Sequence, residues 1–366
     1  LTHNHKLLTV NKKERVWKEL KDINIGDNIL LSNHDDYEWK YGEGTFNQGW
    51  LLGEFIGDGC VLDKGRMSVQ FWGENKEKMK NRAVKILEEN DELYERDGYK
   101  SSGFYSKEQD KYIVCSINIT KIAEKYGIDL KKNIDETLEK TSQQFYRGFL
   151  RGLFDSDGTV SKPELKDKGS SVRLSSTRLD HLYIVQRMLQ RLGIISTIYM
   201  NRKNECYKKM PDGKGGMKEY FCKACHDLVI SKINIKKYKQ IVGFYDKNKK
   251  ERLKIICEET RFRSENFMDK VKTIIEHQDS EEVFDITVLD IHEFCANGIR
   301  AHNCAEILLS NNGVCNLSTV NLTAFVRPDN TLNVPGLIKA QRLSTRACYR
   351  MSCIDLELQE WDIVHK

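Results

Sequence analysis

The sequence predicts a mixed α+β chain made of several units, and three observations carry that expectation. A helix-then-strand motif occurs twice in the middle of the chain. Strand-like alternation bounded by turn residues occurs near both ends, at Ile25–Leu31 and at 284–296. The 366 residues make room for about two to four domains at roughly 100–200 residues each. Hydrophobic residues are 39% and charged residues 31%, so each full-length unit can bury a core. Mean hydropathy is −0.58, and no run of about 18 apolar residues is present to span a bilayer. Leu1–Val10 lacks a basic segment followed by an apolar stretch, so no export signal is read there. A cytoplasmic location without a membrane partner is the expectation. The eleven cysteines are odd in number and lack a framework spacing, which reads as reduced thiols.

The central repeat comes first. Residues 51–61 read LLGEFIGDGCV and residues 150–160 read LRGLFDSDGTV, at a constant offset of 99 with six of eleven positions identical. Strand-like segments follow, Met67–Trp72 and Ser171–Ser175, then helix-like stretches, Asn75–Glu89 and Leu179–Leu192. Each motif reads as a helix ending at its second glycine, with Gly59 and Gly158 free to take the left-handed conformation. Gly53 and Gly152 sit mid-helix, where glycine costs about 1 kcal/mol against alanine. Two helices that approach closely through them offset this cost. Asp58 and Asp157 then meet at the two helix ends, and a divalent cation would relieve their repulsion.

Net charge is +5, and residues 231–254 carry nine Lys/Arg against Asp246 and Glu251. This run is either a solvated face or a phosphate-contacting one. Lys232, Lys236 and Lys237 are the candidate DNA contacts. Cys206, Cys222, Cys225 and His226 allow three readings: a strand over Tyr220–Ile230, a zinc site, or a haem-attachment pattern that the missing export signal disfavours.

The repeated motif resembles the paired LAGLIDADG motifs of homing endonucleases. The second copy is the closer match, and the first departs at Ile56. The resemblance implies Mg²⁺ bound by Asp58 and Asp157, each serving the cutting of one strand of double-stranded DNA. It also implies a lysine ahead of the second motif. Lys132 is the candidate, in Lys131-Lys132-Asn133-Ile134-Asp135, and Lys232 is its candidate counterpart.

Toward the C-terminus, residues 283–304 read VFDITVLDIHEFCANGIRAHNC. Phe284–Leu289 and Glu293–Ala296 alternate like strands, and Asn297-Gly298 is a tight-turn pair. The order Phe284–Val288, His292, Asn297-Gly298, His302-Asn303-Cys304 resembles the C-terminal splice junction of an intein. The resemblance implies cyclisation of Asn303, His302 and His292 as acid/base groups, Cys304 as acyl-accepting nucleophile and Asp285 tuning its thiol. Splicing itself needs no cofactor. Near the other end, Thr2-x-x-His5 followed by Ile25-Gly26-Asp27 resembles the intein block that polarises the upstream bond. An intein's first nucleophile would precede Leu1, so a missing N-terminal intein and host segment is expected.

Residues 304–366 resemble the catalytic region of a ribonucleotide reductase large chain. Cys304 would be the radical cysteine, Glu306 would handle the ribose hydroxyl proton, and Cys315 would be one of a redox pair. The radical source is open, adenosylcobalamin being one candidate. The resulting organisation is α+β: an all-β Hint splicing fold split over 1–45 and 266–303, a two-repeat αββαββα endonuclease over 46–265, and a short piece of a reductase barrel over 304–366. The DNA partner expected is the reductase gene without the insert. The competing readings are a DNA-cutting enzyme whose splicing blocks have decayed, and a reductase carrying a passive insert.

Overall fold

The structure, a computed structural model, describes residues 1–11, 14–33, 39, 41–62, 65–89, 103–161, 169–211, 216–277, 286, 288, 291–303 and 318–353. The chain opens with strands β1 (Lys6–Asn11), β2 (Glu14–Glu19) and β3 (Asn28–Leu30). The first half of the repeat follows as α1 (Phe46–Asp58), β4 (Cys60–Val61), β5 (Met67–Phe71), α2 (Lys76–Glu89), β6 (Gly103–Ser106), β7 (Lys111–Cys115) and α3 (Ile117–Lys125). The second half begins with α4 (Gln143–Ser156), β8 (Gly158–Val160), β9 (Val172–Ser176) and α5 (Leu179–Arg191). It continues with β10 (Thr197–Lys203), β11 (Cys206–Pro211), β12 (Met217–Cys222), β13 (Cys225–Ile230), α6 (Asn234–Ile241) and α7 (Lys247–Glu259). The chain closes on β14 (Met268–Lys270), β15 (Glu293–Ala296), β16 (Ile299–His302) and α8 (Val334–Ser352).

Both halves of the repeat build one topology. Their four-stranded sheets run β4-β5-β7-β6 and β8-β9-β13-β10, so first, second, fourth and third strands stand in the same order. α1 and α4 lie against each other at the centre. Thr45 caps α1 through a capping box with Gln48, and Ser142 caps α4 by accepting from the Phe145 amide. The packed face of α1 buries Trp50, Leu51 and Phe55, and that of α4 buries Phe149, Leu150 and Phe154. One core runs through both halves.

The helix-interior glycines make this packing possible. A Cβ on Gly53 would run into the Phe149 carbonyl oxygen, and one on Gly152 into the Trp50 carbonyl oxygen. The two backbones therefore touch where side chains normally stand between helices. Gly59 and Gly158 differ from expectation, since neither takes a left-handed conformation. They are small for a steric reason: a Cβ there would strike the Phe55 and Phe154 carbonyls one turn back.

The two chain ends share a separate sheet. Its order is β14-β3-β1-β16-β15, with β2 also paired to β1. Leu7 of β1 registers with Ala301 of β16, and Ile29 of β3 with Asp269 of β14. Leu7, Ile23, Ile29 and Ala301 bury a small core of their own. The β15–β16 hairpin turns on Asn297 (φ 50°) and Gly298 (φ 80°), a pair with positive φ at both central residues. The expected strand at Phe284–Leu289 falls outside the described residues except for Ile286 and Val288, which join no strand. The Tyr220–Ile230 strand is interrupted at 223–224 between β12 and β13. Among the described residues no helix is long and apolar enough to cross a membrane.

Two stability predictions follow from this architecture. Gly152→Ala should destabilise the chain by about 1–3 kcal/mol, because overpacking outweighs the gain in helix propensity; a denaturation midpoint equal to or above wild type would contradict the backbone contact. The second concerns His181, whose Nε2 accepts from the buried Ile134 amide at 3.3 Å. Burial lowers its imidazole from 6.5 to about 4. The folded state therefore refuses a proton that the unfolded chain accepts. Its contribution is complete above pH 6.5 and is lost as pH falls toward 4. Between pH 7 and 5, wild type should lose about 2 kcal/mol relative to His181→Gln in urea unfolding. Equal losses in the two proteins would refute the assignment.

Candidate functional site

The C-terminal ends of α1 and α4 bring Asp58 and Asp157 together. Burial pushes the Asp58 carboxyl above its ordinary range, and the charge of Asp157 adds to that shift. Asp157 is likewise raised by burial. Two carboxylates held in a partly dry site, each resisting ionisation, form a donor set suited to a hard divalent cation. Mg²⁺ is held through one or two carboxylates with water and substrate phosphate completing its shell. The pair fits that pattern. Among the described residues no group of three or more His, Cys, Asp or Glu is placed to hold a metal.

Two lysines flank the pair with matching geometry. Lys132 Nζ donates to the carbonyls of Gly57 at 2.9 Å and Gly59 at 3.0 Å, at the end of α1. Lys249 Nζ donates to the carbonyls of Phe154 at 3.1 Å and Ser156 at 3.0 Å, and to that of Asp155, at the end of α4. Each ammonium satisfies helix-terminal carbonyls and complements the helix dipole. Burial lowers both lysines below their ordinary value, while the carboxylates oppose that shift. Lys132 thus lies where expected, with a positive φ of 60°.

Lys232 does not reach the site. Its ammonium pairs with Glu265 at 2.7 Å. The counterpart of Lys132 is Lys249, which stands in the first turn of α7 behind the Asp246 cap. The spacing hides it, because the inserted strands β11 and β12 lengthen the second half before α7. Lys237 donates to the Gly193 carbonyl at 2.9 Å, and Lys236 lies over the Phe262 ring.

Two further acids stand behind the pair. Asp155 accepts from Trp50 Nε1 at 3.3 Å and from the amides of Tyr245 and Asp246, and burial raises it to about 6. Glu54, fully buried on α1, is driven far above the usual carboxylate range by burial, then by Asp155 and Asp58. A cavity of about 250 Å³ opens beside Asp157, lined also by Lys132, Arg178 and His181.

A second cluster lies on the end-to-end sheet. Asn303 is completely buried, and its side-chain Nδ2 and Oδ1 have no hydrogen-bond partner among the described residues. His302 Nδ1 lies 2.7 Å from the Asn303 carbonyl oxygen. The Asn303 amide donates to the carbonyl of His292 at 3.1 Å, and the two histidine rings stand 6.3 Å apart. Trp17 of β2 packs edge-on against His302 at 5.1 Å. His5 is buried with its ring 6.0 Å from Phe294, and its amide donates to the Thr2 carbonyl at 3.0 Å. Thr2 Oγ1 donates to Asn4 Oδ1 at 2.8 Å. Asp285, Cys304, Glu306 and Cys315 lie outside the described residues.

The repeat and this sheet are joined by Gln190, near the end of α5. Its Nε2 donates to the carbonyls of Gly298 at 2.6 Å and Ser32 at 3.2 Å. The proposed four-ligand cluster at Cys206, Cys222, Cys225 and His226 does not assemble. Cys206 faces Cys222 across the β11–β12 ladder, while His226 Nδ1 is taken by the Asn201 amide at 3.1 Å.

Residues 144–243 match the family model of the LAGLIDADG-like domain. Along 93% of its length the chain is similar, at 25% identity over 392 residues, to the ribonucleoside-diphosphate reductase NrdEB subunit alpha of Bacillus subtilis, of which the match covers 36%. It is also 24% identical over 315 residues to a DNA polymerase of Thermococcus litoralis, covering 81% of this chain and 17% of the polymerase. The chain thus spans about a third or less of the curated relatives it matches. Among solved structures, the homing endonuclease I-DmoI in complex with DNA and Mn aligns at 18% identity and a TM-score of 0.35, over 54% of this chain and 96% of that one. Over residues 144–243 the chain therefore carries a LAGLIDADG-like domain, within a sequence similar to a ribonucleotide reductase subunit.

Proposed function

We propose that the chain is a self-excising intein with a nested Mg²⁺-dependent homing endonuclease, interrupting a ribonucleotide reductase. The observation that carries this reading is the shared sheet. Segments before and after the two-repeat unit pair strand to strand, as Leu7↔Ala301 and Ile29↔Asp269 do. A unit inserted into a split β fold has that topology. The relatives support it from another side: one stretch of sequence is common to proteins named as a reductase and as a DNA polymerase. A segment shared by such different enzymes is better explained as an insert than as the catalytic machinery of either.

For the splicing unit, the reading rests on Asn303. Among the described residues its buried side-chain amide has no hydrogen-bond partner, an arrangement that calls for a reason. Its Nδ2 attacks the carbonyl carbon of the same residue and closes a succinimide ring. The bond to Cys304 breaks, and the leaving nitrogen takes up a proton to depart as an amine. With its proton on Nδ1, His302 donates to the carbonyl oxygen as negative charge develops there. His292 holds the Asn303 backbone through its own carbonyl. Cys304 is the thiol nucleophile that receives the upstream acyl chain, with Asp285 tuning it, and Thr2 with His5 polarises the upstream bond. After excision Cys304, Glu306 and Cys315 return to the reductase. α8 leaves Leu343 and Tyr349 about 70% exposed, as a piece separated from its own core would.

For the nuclease unit, Asp58 and Asp157 hold the cation, which supplies Lewis-acid polarisation of the phosphate and an activated water. Lys132 and Lys249 hold the two helix ends and place positive charge beside the scissile phosphates. The paired sheets bear on the DNA grooves, with lysines on the phosphates.

Two sets of variants separate the parts. Asp58→Asn or Asp157→Asn should abolish double-strand cutting of the reductase coding sequence made continuous across the Cys304 codon, while leaving DNA binding intact. Undiminished cutting would refute the metal site. Asn303→Ala should stop release of the segment beginning at Cys304, and continued release would mean that another bond is cut. A reductase with a passive insert would show neither activity in the wild-type chain.

A further inference from the structure

The hairpin that leads to Asn303 is lightly held within its own sheet. Among the described residues β15 is an edge strand and pairs only with β16. β16 registers with β1 at Leu7↔Ala301, and Ile299 bridges to Leu31. Four pairs join β15 to β16, from Glu293↔His302 to Ala296↔Ile299. A two-stranded hairpin is marginal on its own in water. Yet this one must keep His302 Nδ1 2.7 Å from the Asn303 carbonyl oxygen, and the His292 carbonyl 3.1 Å from the Asn303 amide. A reacting group misplaced by about 1 Å can lose roughly 100-fold in rate.

The turn at the far end of the hairpin is gripped from outside the sheet. The Gly298 carbonyl accepts from the Ser32 amide at 2.7 Å and from Gln190 Nε2 at 2.6 Å. A carbonyl has two lone pairs, and both are used. Gln190 Nε2 also donates to the Ser32 carbonyl at 3.2 Å. One side-chain amide thus joins the residues after β3 to the hairpin turn. A Cβ on Gly298 would collide with that amide, so the turn and the side chain are fitted to each other. Gln190 itself stands on a firm base. Val185, Met188 and Leu189 of α5 are completely buried, and Arg187 Nε donates to the Glu139 carboxylate at 2.9 Å.

We propose that Gln190 is a positioning residue for the cyclisation of Asn303: a helix of the two-repeat unit fixes, through this side chain, the hairpin that ends in His302 and Asn303. The inference rests on the splicing reading and adds to it a contribution from the inserted unit. No bond is made or broken at Gln190. Its two hydrogen bonds hold the turn at one end of the ladder, while Trp17 packs on His302 at the other. With both ends fixed, the strands between them have one setting, and the His302 nitrogen stays on the Asn303 carbonyl oxygen.

The test follows release of the segment beginning at Cys304 from the full chain, by intact mass against time. Gln190→Leu removes the donor at similar volume, and Gln190→Glu sets a carboxylate against the two carbonyls. Both should slow release by about tenfold or more, within the roughly 100-fold that a 1 Å error costs. Gln190→Lys keeps a donor on a chain long enough to reach both carbonyls, and it should restore a rate close to wild type. Gln186→Leu is the control. Gln186 Nε2 donates to the Ser196 carbonyl at 2.9 Å inside the repeat, and losing that bond should leave release unchanged. Release at the wild-type rate in both Gln190→Leu and Gln190→Glu overturns the positioning role and leaves the splicing reading in place. Equal slowing in Gln190→Lys or in Gln186→Leu also overturns it, because the effect would then be one of α5 stability alone. No release by wild type overturns both the positioning role and the splicing reading.

Discussion

The backbone contact between α1 and α4 is the constraint on which the rest of the repeat depends. Gly53 and Gly152 remove the side chains that would hold the helices apart. Only then do the two helix ends converge closely enough for Asp157 to act on Asp58. The same convergence gives Lys132 and Lys249 related seats on the terminal carbonyls of the two helices. The electrostatic cost of crowding two carboxylates is thus supported by buried apolar packing around Trp50, Phe149 and their neighbours. Two crowded carboxylates are held in place by the apolar packing of the helices that carry them.

The second dependence is topological. The end-to-end sheet exists only because chain segments far apart in sequence meet in it, and its core is small. That sheet carries the buried Asn303 amide and the His302 nitrogen beside its carbonyl. Gln190 ties the turn of the β15–β16 hairpin to α5, and the other end of α5 lines the cavity beside Asp157. One helix of the repeat therefore contacts the hairpin turn near one end and lines that cavity near the other.

Much of this was legible in the sequence, and for local reasons. The offset of 99 exposes the repeat because both copies meet the same steric demand at the same positions. Asn297-Gly298 announces its turn because few other pairs accept positive φ twice. Lys132 is found because the family resemblance places a lysine ahead of the second motif, and Lys131-Lys132-Asn133-Ile134-Asp135 supplies one there. Lys249 could not be, since an insertion in the second half displaces it and the basic run around it offers many lysines. The left-handed expectation at Gly59 and Gly158 failed because a second steric rule, proximity to the preceding turn, also selects glycine. Glu54 and Asp155 carry no sequence signal that separates a buried acid from a surface one. Gln190 is visible only once the two units are packed.

The most direct measurement is the intact mass of the unmodified chain after incubation at neutral pH. The account predicts two products whose masses sum to that of the starting chain. One ends at Asn303 as an aminosuccinimide, one water lighter than the hydrolysed acid, and the other begins at Cys304. Products that cleave elsewhere, or an N-terminal product that carries the added water from its first appearance, would contradict it.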